Sequence, residues 1–338
     1  MVGSSTIYWF RKALRLHDNA ALLAAMEGSS KLYPVFCLDP WFVASGRVGA
    51  NRLHFLLQSL ADLDCSLRSV DSRLIVLRGD PCVELPRAMS EWSVDRIVFE
   101  TDTEPFARAR DAKLSALAET AGVSVETRWG HTLCDLDALL KRHPGGRPTT
   151  TYGAFLGHLG KQLAAQPIQI AETPRKLPPV GPLSESDALG VPTGSDLGLS
   201  AQTGGVVLPG GETEAIKRME AHLANTEWVA AFEKPSTSPT EMNARGERTR
   251  STTALSPYLK FGCLSTRVLH QRVDAVYAAH PKHSKPPTSL HGQLYWREFY
   301  YAAAYGIPNY EQMEGNQICR MHRRLTPSPA MAHTCPCE

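Results

Sequence analysis

The 338-residue sequence has no run of about 18 apolar residues, so no transmembrane helix is expected. Its N-terminus has no basic stretch followed by an apolar one, which argues against a secretory leader. It also lacks an excess of charge: 36 Lys and Arg stand against 34 Asp and Glu, for a net charge of +2. A chain so balanced is not a polybasic nucleic-acid binder, and any DNA-binding face must be local. No Gly-x-Gly-x-x-Gly follows the first strand-like stretch, which argues against a nicotinamide-type phosphate loop there. Cysteine pairs at metal-ligand spacing are missing. Of the eight cysteines (Cys37, Cys65, Cys82, Cys134, Cys263, Cys319, Cys335 and Cys337), most stand alone in apolar stretches, as reduced core thiols do. Cys335 and Cys337 are too close for the usual metal pair, so no metal site is expected. No internal repeat is evident.

The first part of the chain alternates strand and helix signals. Short β-branched and aromatic runs lie at Thr6–Phe10, Leu32–Leu38, Arg73–Leu77, Arg96–Phe99 and Val123–Thr127. Helical patterns fill the gaps at Ala20–Met26, Asn51–Leu63, Pro81–Glu91 and Ala107–Ala121. That order predicts a doubly wound parallel sheet, whose ligands sit beyond the carboxyl ends of the strands. Directly after the first strand comes Arg11-Lys12-Ala13-Leu14-Arg15-Leu16-His17-Asp18-Asn19. Such a string is either part of a site or a solvated loop whose Asp18 caps the next helix. Asp39-Pro40 and Glu100-Thr101-Asp102 end the second and fourth strands, where carboxylates cap helices or hold a ligand.

Residues 134–208 read as a long interdomain connection, with helices at Asp135–His143 and Gly153–Ala165 and then a Pro-, Gly- and Ser-rich stretch lying over the surface. From Pro209-Gly210-Gly211-Glu212 onward the signals are helical, over Glu212–Thr226, Ser256–Ala279 and Pro287–Tyr305. Thr252, Thr253 and Ser256 bring three hydroxyls to the start of one helix, with Ser256 as its expected N-cap and Pro257 in its first turn. Hydroxyls and free N–H groups in that position suit a phosphate. Downstream, Leu290-His291-Gly292-Gln293-Leu294-Tyr295-Trp296-Arg297-Glu298-Phe299-Tyr300-Tyr301 forms an aromatic-rich helix. Just before Thr252, Lys234, Arg245, Arg248 and Arg250 fall in a basic loop, suited to phosphate contacts or simply solvated.

The two stretches from Thr252 and from Leu290, together with the string after the first strand and the Pro209 opening, resemble the photolyase/cryptochrome family in its animal cryptochrome and (6-4) photolyase branch. The resemblance implies an α/β antenna domain over residues 1–133, a linker over 134–208, and the first part of an all-helical FAD-binding domain over 209–320. It implies FAD held by Thr252, Thr253, Leu255, Ser256, Gln293 and Arg297. It places a folate or deazaflavin antenna near Arg11, Asp39, Arg52 and Asp102, and a DNA lesion near Trp296, Gln293 and Lys234. The implied chemistry is light-driven electron transfer from reduced flavin to a pyrimidine lesion in UV-damaged DNA, most simply a (6-4) photoproduct. The alternative is a cryptochrome photoreceptor or circadian regulator with clock or signalling partners. Either implies a nuclear or cytoplasmic location.

The resemblance stops near Arg320. Residues 321–338 are expected to be a divergent, disordered tail. The helical domain is expected to be incomplete, so the chain reads as C-terminally truncated and unable to repair DNA, with no catalytic residue retained.

Overall fold

The computed structural model describes residues 3–43, 48–187, 190–199, 208–233, 252–312 and 315–316. The tail at 321–338, Lys234 and the three arginines after it lie outside them.

Five strands form one parallel sheet: β1 (Ser4–Phe10), β2 (Ser29–Leu38), β3 (Ile75–Arg78), β4 (Arg96–Glu100) and β5 (Ser124–Arg128), in the order β3-β2-β1-β4-β5. The order reverses at β1, which places the switch-point crevice beyond its carboxyl end. The helices between strands are α1 (Ala20–Met26), α2 (Pro40–Val43), α3 (Ala50–Arg68), α4 (Pro81–Glu91) and α5 (Pro105–Thr120). Strand alternation divides β1 between two cores. Ile7 and Trp9 pack with Leu85 and Met89 of α4 and Leu114 of α5. Tyr8 and Phe10 face the other way, toward Leu22 of α1 and Leu60 and Leu63 of α3.

After the sheet come α6 (Leu136–Lys141), α7 (Tyr152–Ala165), α8 (Glu212–Leu223), α9 (Thr226–Ala230), α10 (Ser256–Phe261), α11 (Thr266–Ala279) and α12 (Leu290–Gly306). The second core does not end at the sheet. It runs on through Met219 and Leu223 of α8, Tyr258 of α10, Leu269 and Val273 of α11, and Leu290 and Leu294 of α12. The stretch read as a surface connection is pinned to the sheet layer. Leu177 is buried and its N–H donates to Val70, Leu32 donates to Pro179, and Asp187 pairs with Arg87.

Two helical expectations are corrected. The helix expected over Ser256–Ala279 is two helices, because Gly262 turns the chain with φ of 70°. A Cβ there would sit 1.4 Å from the carbonyl oxygen of Lys12, so the close approach of α10 to the loop after β1 requires glycine. Ser256 is also not the cap: Leu255 holds that position, and Ser256 and Pro257 are the first two helical residues.

The string after β1 joins the two halves of the molecule. Arg15, only 1% exposed, donates to the carbonyls of His17, Asp18, Gly130 and Gly262. Asp18, fully buried with φ of 46°, accepts from the Arg267 guanidinium at 2.8 and 3.0 Å, from the N–H of Ala171 at 2.8 Å, and from the Ser265 hydroxyl. Asn19, rather than Asp18, caps α1 by accepting from the N–H of Leu22. Glu212, at the start of α8, accepts from the N–H groups of Leu16 and His17 at 2.8 and 2.9 Å and pairs with His17 Nδ1. Those donors offset the cost of burying the carboxylate.

Candidate cofactor clefts

Two clefts flank α10. The larger, about 380 Å³, lies among α8, α10, α11 and α12. All six residues expected at FAD line it: Thr252, Thr253, Leu255, Ser256, Gln293 and Arg297. Its apolar wall comes from Leu259, Leu269, Val273, Leu290 and Leu294, and its polar rim from the hydroxyls, the Gln293 amide and the Arg297 guanidinium. The entry to α10 is bent. Ala254 holds φ of 52°, a conformation costly for alanine, with the Thr252 hydroxyl accepting from its N–H at 3.4 Å. Thr253 and Leu255 flank that residue and both reach the cleft.

Arg297 is held from below. Its Nη1 donates to Glu298 at 2.8 Å, and its guanidinium lies 4.5 Å from the Tyr301 ring, another lining residue. Glu298 is fully buried and also accepts from the N–H of Leu133 at 2.8 Å. Burial raises its pKa, against the opposing pull of Arg297. Trp296 does not line the cleft. It stacks on Tyr152 of α7, ring centroids 3.8 Å apart and planes 7° apart.

The smaller cleft, about 170 Å³, lies beyond the carboxyl ends of β1 and β2. Arg11, Asp39, Arg52 and Asp102 all line it, so the structure brings the four antenna candidates together. Their side chains are engaged to different degrees. Arg11 lies 4.7 Å from the rings of both Trp9 and Phe99 and pairs with Asp111. Asp102 accepts from Lys12 at 2.9 Å and from the N–H groups of Thr103 and Glu104 at 2.7 and 3.0 Å, so it also organises the entry to α5. Burial works to raise its pKa, but Lys12 and Arg11 outweigh burial and hold the carboxyl below the usual range. Arg52 sits 5.8 Å from the Phe261 ring. Phe42 and Phe106 add exposed aromatic surface to the cleft.

Sequence reasoning missed Lys260. It lines both clefts and pairs with Glu104, which also pairs with Lys12. The signal available was its place in α10, one turn after Ser256, on a helix with a cleft on each side.

The DNA photolyase family model matches residues 6–176, just over half the chain. Cryptochrome-1 of Spalax judaei is 44% identical over 94% of the chain and 54% of its own length. The (6-4) DNA photolyase of Oryza sativa subsp. japonica is 43% identical over 94% of the chain and 59% of its own length. The chain thus spans little more than half the length of these curated relatives. An archaeal photolyase from Sulfolobus tokodaii, solved with two FAD molecules, shares the fold at a TM-score of 0.63 and 22% identity, over 89% of this chain and 59% of that one. With the family match, the relatives and the parallel sheet in agreement, this chain belongs to the photolyase/cryptochrome family.

Proposed function

We propose that the larger cleft is part of the FAD site of a light-dependent DNA photolyase of the (6-4) type. The observation that carries this reading is the convergence of Thr252, Thr253, Leu255, Ser256, Gln293 and Arg297 on one cleft. The donor set fits the group: hydroxyls and a guanidinium suit a dianionic diphosphate, and aliphatic walls suit a flat ring. Bound there, FAD would supply light-driven electron transfer to a UV-damaged pyrimidine pair. The chain's own part is to bind and orient. Thr252, Thr253 and Ser256 would face the phosphates, Glu298 and Tyr301 fix the Arg297 guanidinium, and the leucines exclude water. Gln293 and Trp296, three residues apart on α12, are the groups proposed to meet a flipped-out base of the lesion. The smaller cleft is proposed to hold the antenna, a folate, a deazaflavin or a second FAD, the last because the Sulfolobus protein was solved with two.

The second reading, a cryptochrome photoreceptor with clock or signalling partners, is favoured by the names of the relatives, which include both cryptochromes and a (6-4) photolyase. One experiment tests the flavin site and a second separates the readings. FAD is titrated into the purified chain by fluorescence anisotropy, beside Arg297→Met and Thr253→Val. Both substitutions should weaken binding by about tenfold, the worth of a charge-assisted hydrogen bond. Equal affinities would remove the flavin assignment. Light-dependent loss of (6-4) photoproducts by a longer form carrying this chain selects the photolyase reading, and its failure with flavin bound selects the cryptochrome one.

A further inference from the structure

A second constellation lies behind the larger cleft, away from the cofactor candidates. His270 and Asp274 stand one turn apart on α11, and His291 is the second residue of α12. His270 Nδ1 lies 2.9 Å from one Asp274 oxygen, and His291 Nε2 lies 3.5 Å from the other. The three ligand atoms fall within 4.8 Å of one another, and no other group of three such side chains converges this closely among the described residues. A tetrahedral ion with bonds of about 2.0–2.2 Å sets its ligands about 3.3–3.6 Å apart, and the two imidazole–carboxylate separations, 2.9 and 3.5 Å, lie close to that.

We infer that His270, Asp274 and His291 bind a divalent transition-metal ion of the zinc class, which clamps α11 to α12. Two imidazoles and one carboxylate are the donor set that such ions prefer, whereas magnesium and calcium take oxygen ligands. The ion would accept the lone pair of the ring nitrogen that faces the carboxylate in each histidine, leaving the hydrogen on the other nitrogen. For His270 that nitrogen is Nε2, 3.0 Å from the Tyr295 hydroxyl, which acts as the outer partner that fixes a ligand ring.

Both histidines are buried, while the Asp274 side chain is 54% exposed and leaves an approach for the ion and for a water as fourth ligand. The rings now lie face to face, centroids 4.1 Å apart and planes 9° apart. Taking the ion turns them about their Cβ–Cγ bonds. For His291 this gives up a long contact, 3.3 Å, to the His270 carbonyl and rearranges its ring contacts with His270 and Tyr277. The consequence reaches the cleft, because α11 supplies Leu269 and Val273 to its wall and α12 supplies Leu290, Gln293 and Leu294.

The test uses the full chain carrying Cys335→Ser and Cys337→Ser, stripped with a chelator that is then removed. Zinc chloride is titrated calorimetrically and the melting temperature is followed. One zinc per chain should bind and raise the melting temperature, and cobalt should give visible ligand-field bands at the same stoichiometry. Asp274→Asn and His291→Phe should each weaken zinc by more than about tenfold, and Tyr295→Phe by about tenfold. Should His291→Phe not fold, the exposed Asp274→Asn carries the test. No stoichiometric uptake, uptake unchanged in Asp274→Asn, or displacement of zinc by equimolar magnesium would overturn the assignment.

Discussion

His131 is fully buried, with Nε2 lacking a hydrogen-bond partner among the described residues. Burial lowers its pKa well below 6.5, and Arg297, Lys12 and Arg11 add to that effect against the pull of Asp102. The unfolded chain therefore takes up a proton near pH 6.5 that the folded chain refuses, and stability falls as pH drops through that value. The melting temperature should decline between about pH 7.5 and 5.5, and His131→Gln should flatten part of that decline. An unchanged slope in the variant would locate the protons elsewhere. Asp18 carries a larger load. Asp18→Ala leaves the largely buried Arg267 guanidinium without its carboxylate, a change worth about 3–5 kcal/mol. A loss under about 1 kcal/mol in urea unfolding would show that Asp18 is not a main tie between the halves. These residues were only half legible in the sequence. Arg15, His17 and Asp18 stood out as a charged string after a strand, but their partners Glu212, Ser265 and Arg267 lie about 195–249 positions away, where no local pattern can pair them.

At the scale of elements, the sheet was legible because each strand is a short β-branched or aromatic run bounded by a helix, and the periods of two and 3.6 do not mimic each other. The break between α10 and α11 was not. Their apolar spacing continues across Gly262, and only the Lys12 carbonyl, brought up by tertiary contact, makes glycine obligatory. Gly262→Ala should cost well over the roughly 1 kcal/mol of a left-handed alanine, since backbone has to move as well. A melting temperature within a degree or two of the parent would contradict the close approach. Three hydroxyls before a helix were legible from residue type, the full set of cofactor candidates came from the resemblance, and they meet because α10 and α12 face each other across one cleft. Trp296 was legible as an aromatic, but its stacking on Tyr152 depends on where α7 lies.

For the whole molecule, the shared core bears on which pieces stand alone. A fragment of residues 1–133 keeps both layers of the sheet but loses Leu177 and the Arg87–Asp187 pair. A fragment of residues 1–187 retains them. Both should show mixed α/β circular dichroism, and the longer should melt higher. Equal melting temperatures would mean that the connection adds nothing to the sheet layer. For the 338-residue polypeptide itself, we predict weak retention of FAD and no light-dependent repair, because Gln293 and Ser256 lie exposed at the cleft and the described residues supply no wall opposite them. Stoichiometric flavin after gel filtration, or repair above a free-flavin control, would refute this.

The tie at Asp18 also sets a timetable. Ser265 and Arg267 leave the ribosome 247 and 249 residues after it. At about 5–20 residues per second, Asp18 waits on the order of 12–50 s for them. During that interval Asp18 lacks its cationic partner, while β1 pairs with β2 and then β4 as each emerges. The sheet can therefore form under its own local contacts, and the tie closes only after every strand is available. Substitutions at Asp18 should then speed unfolding far more than they slow refolding.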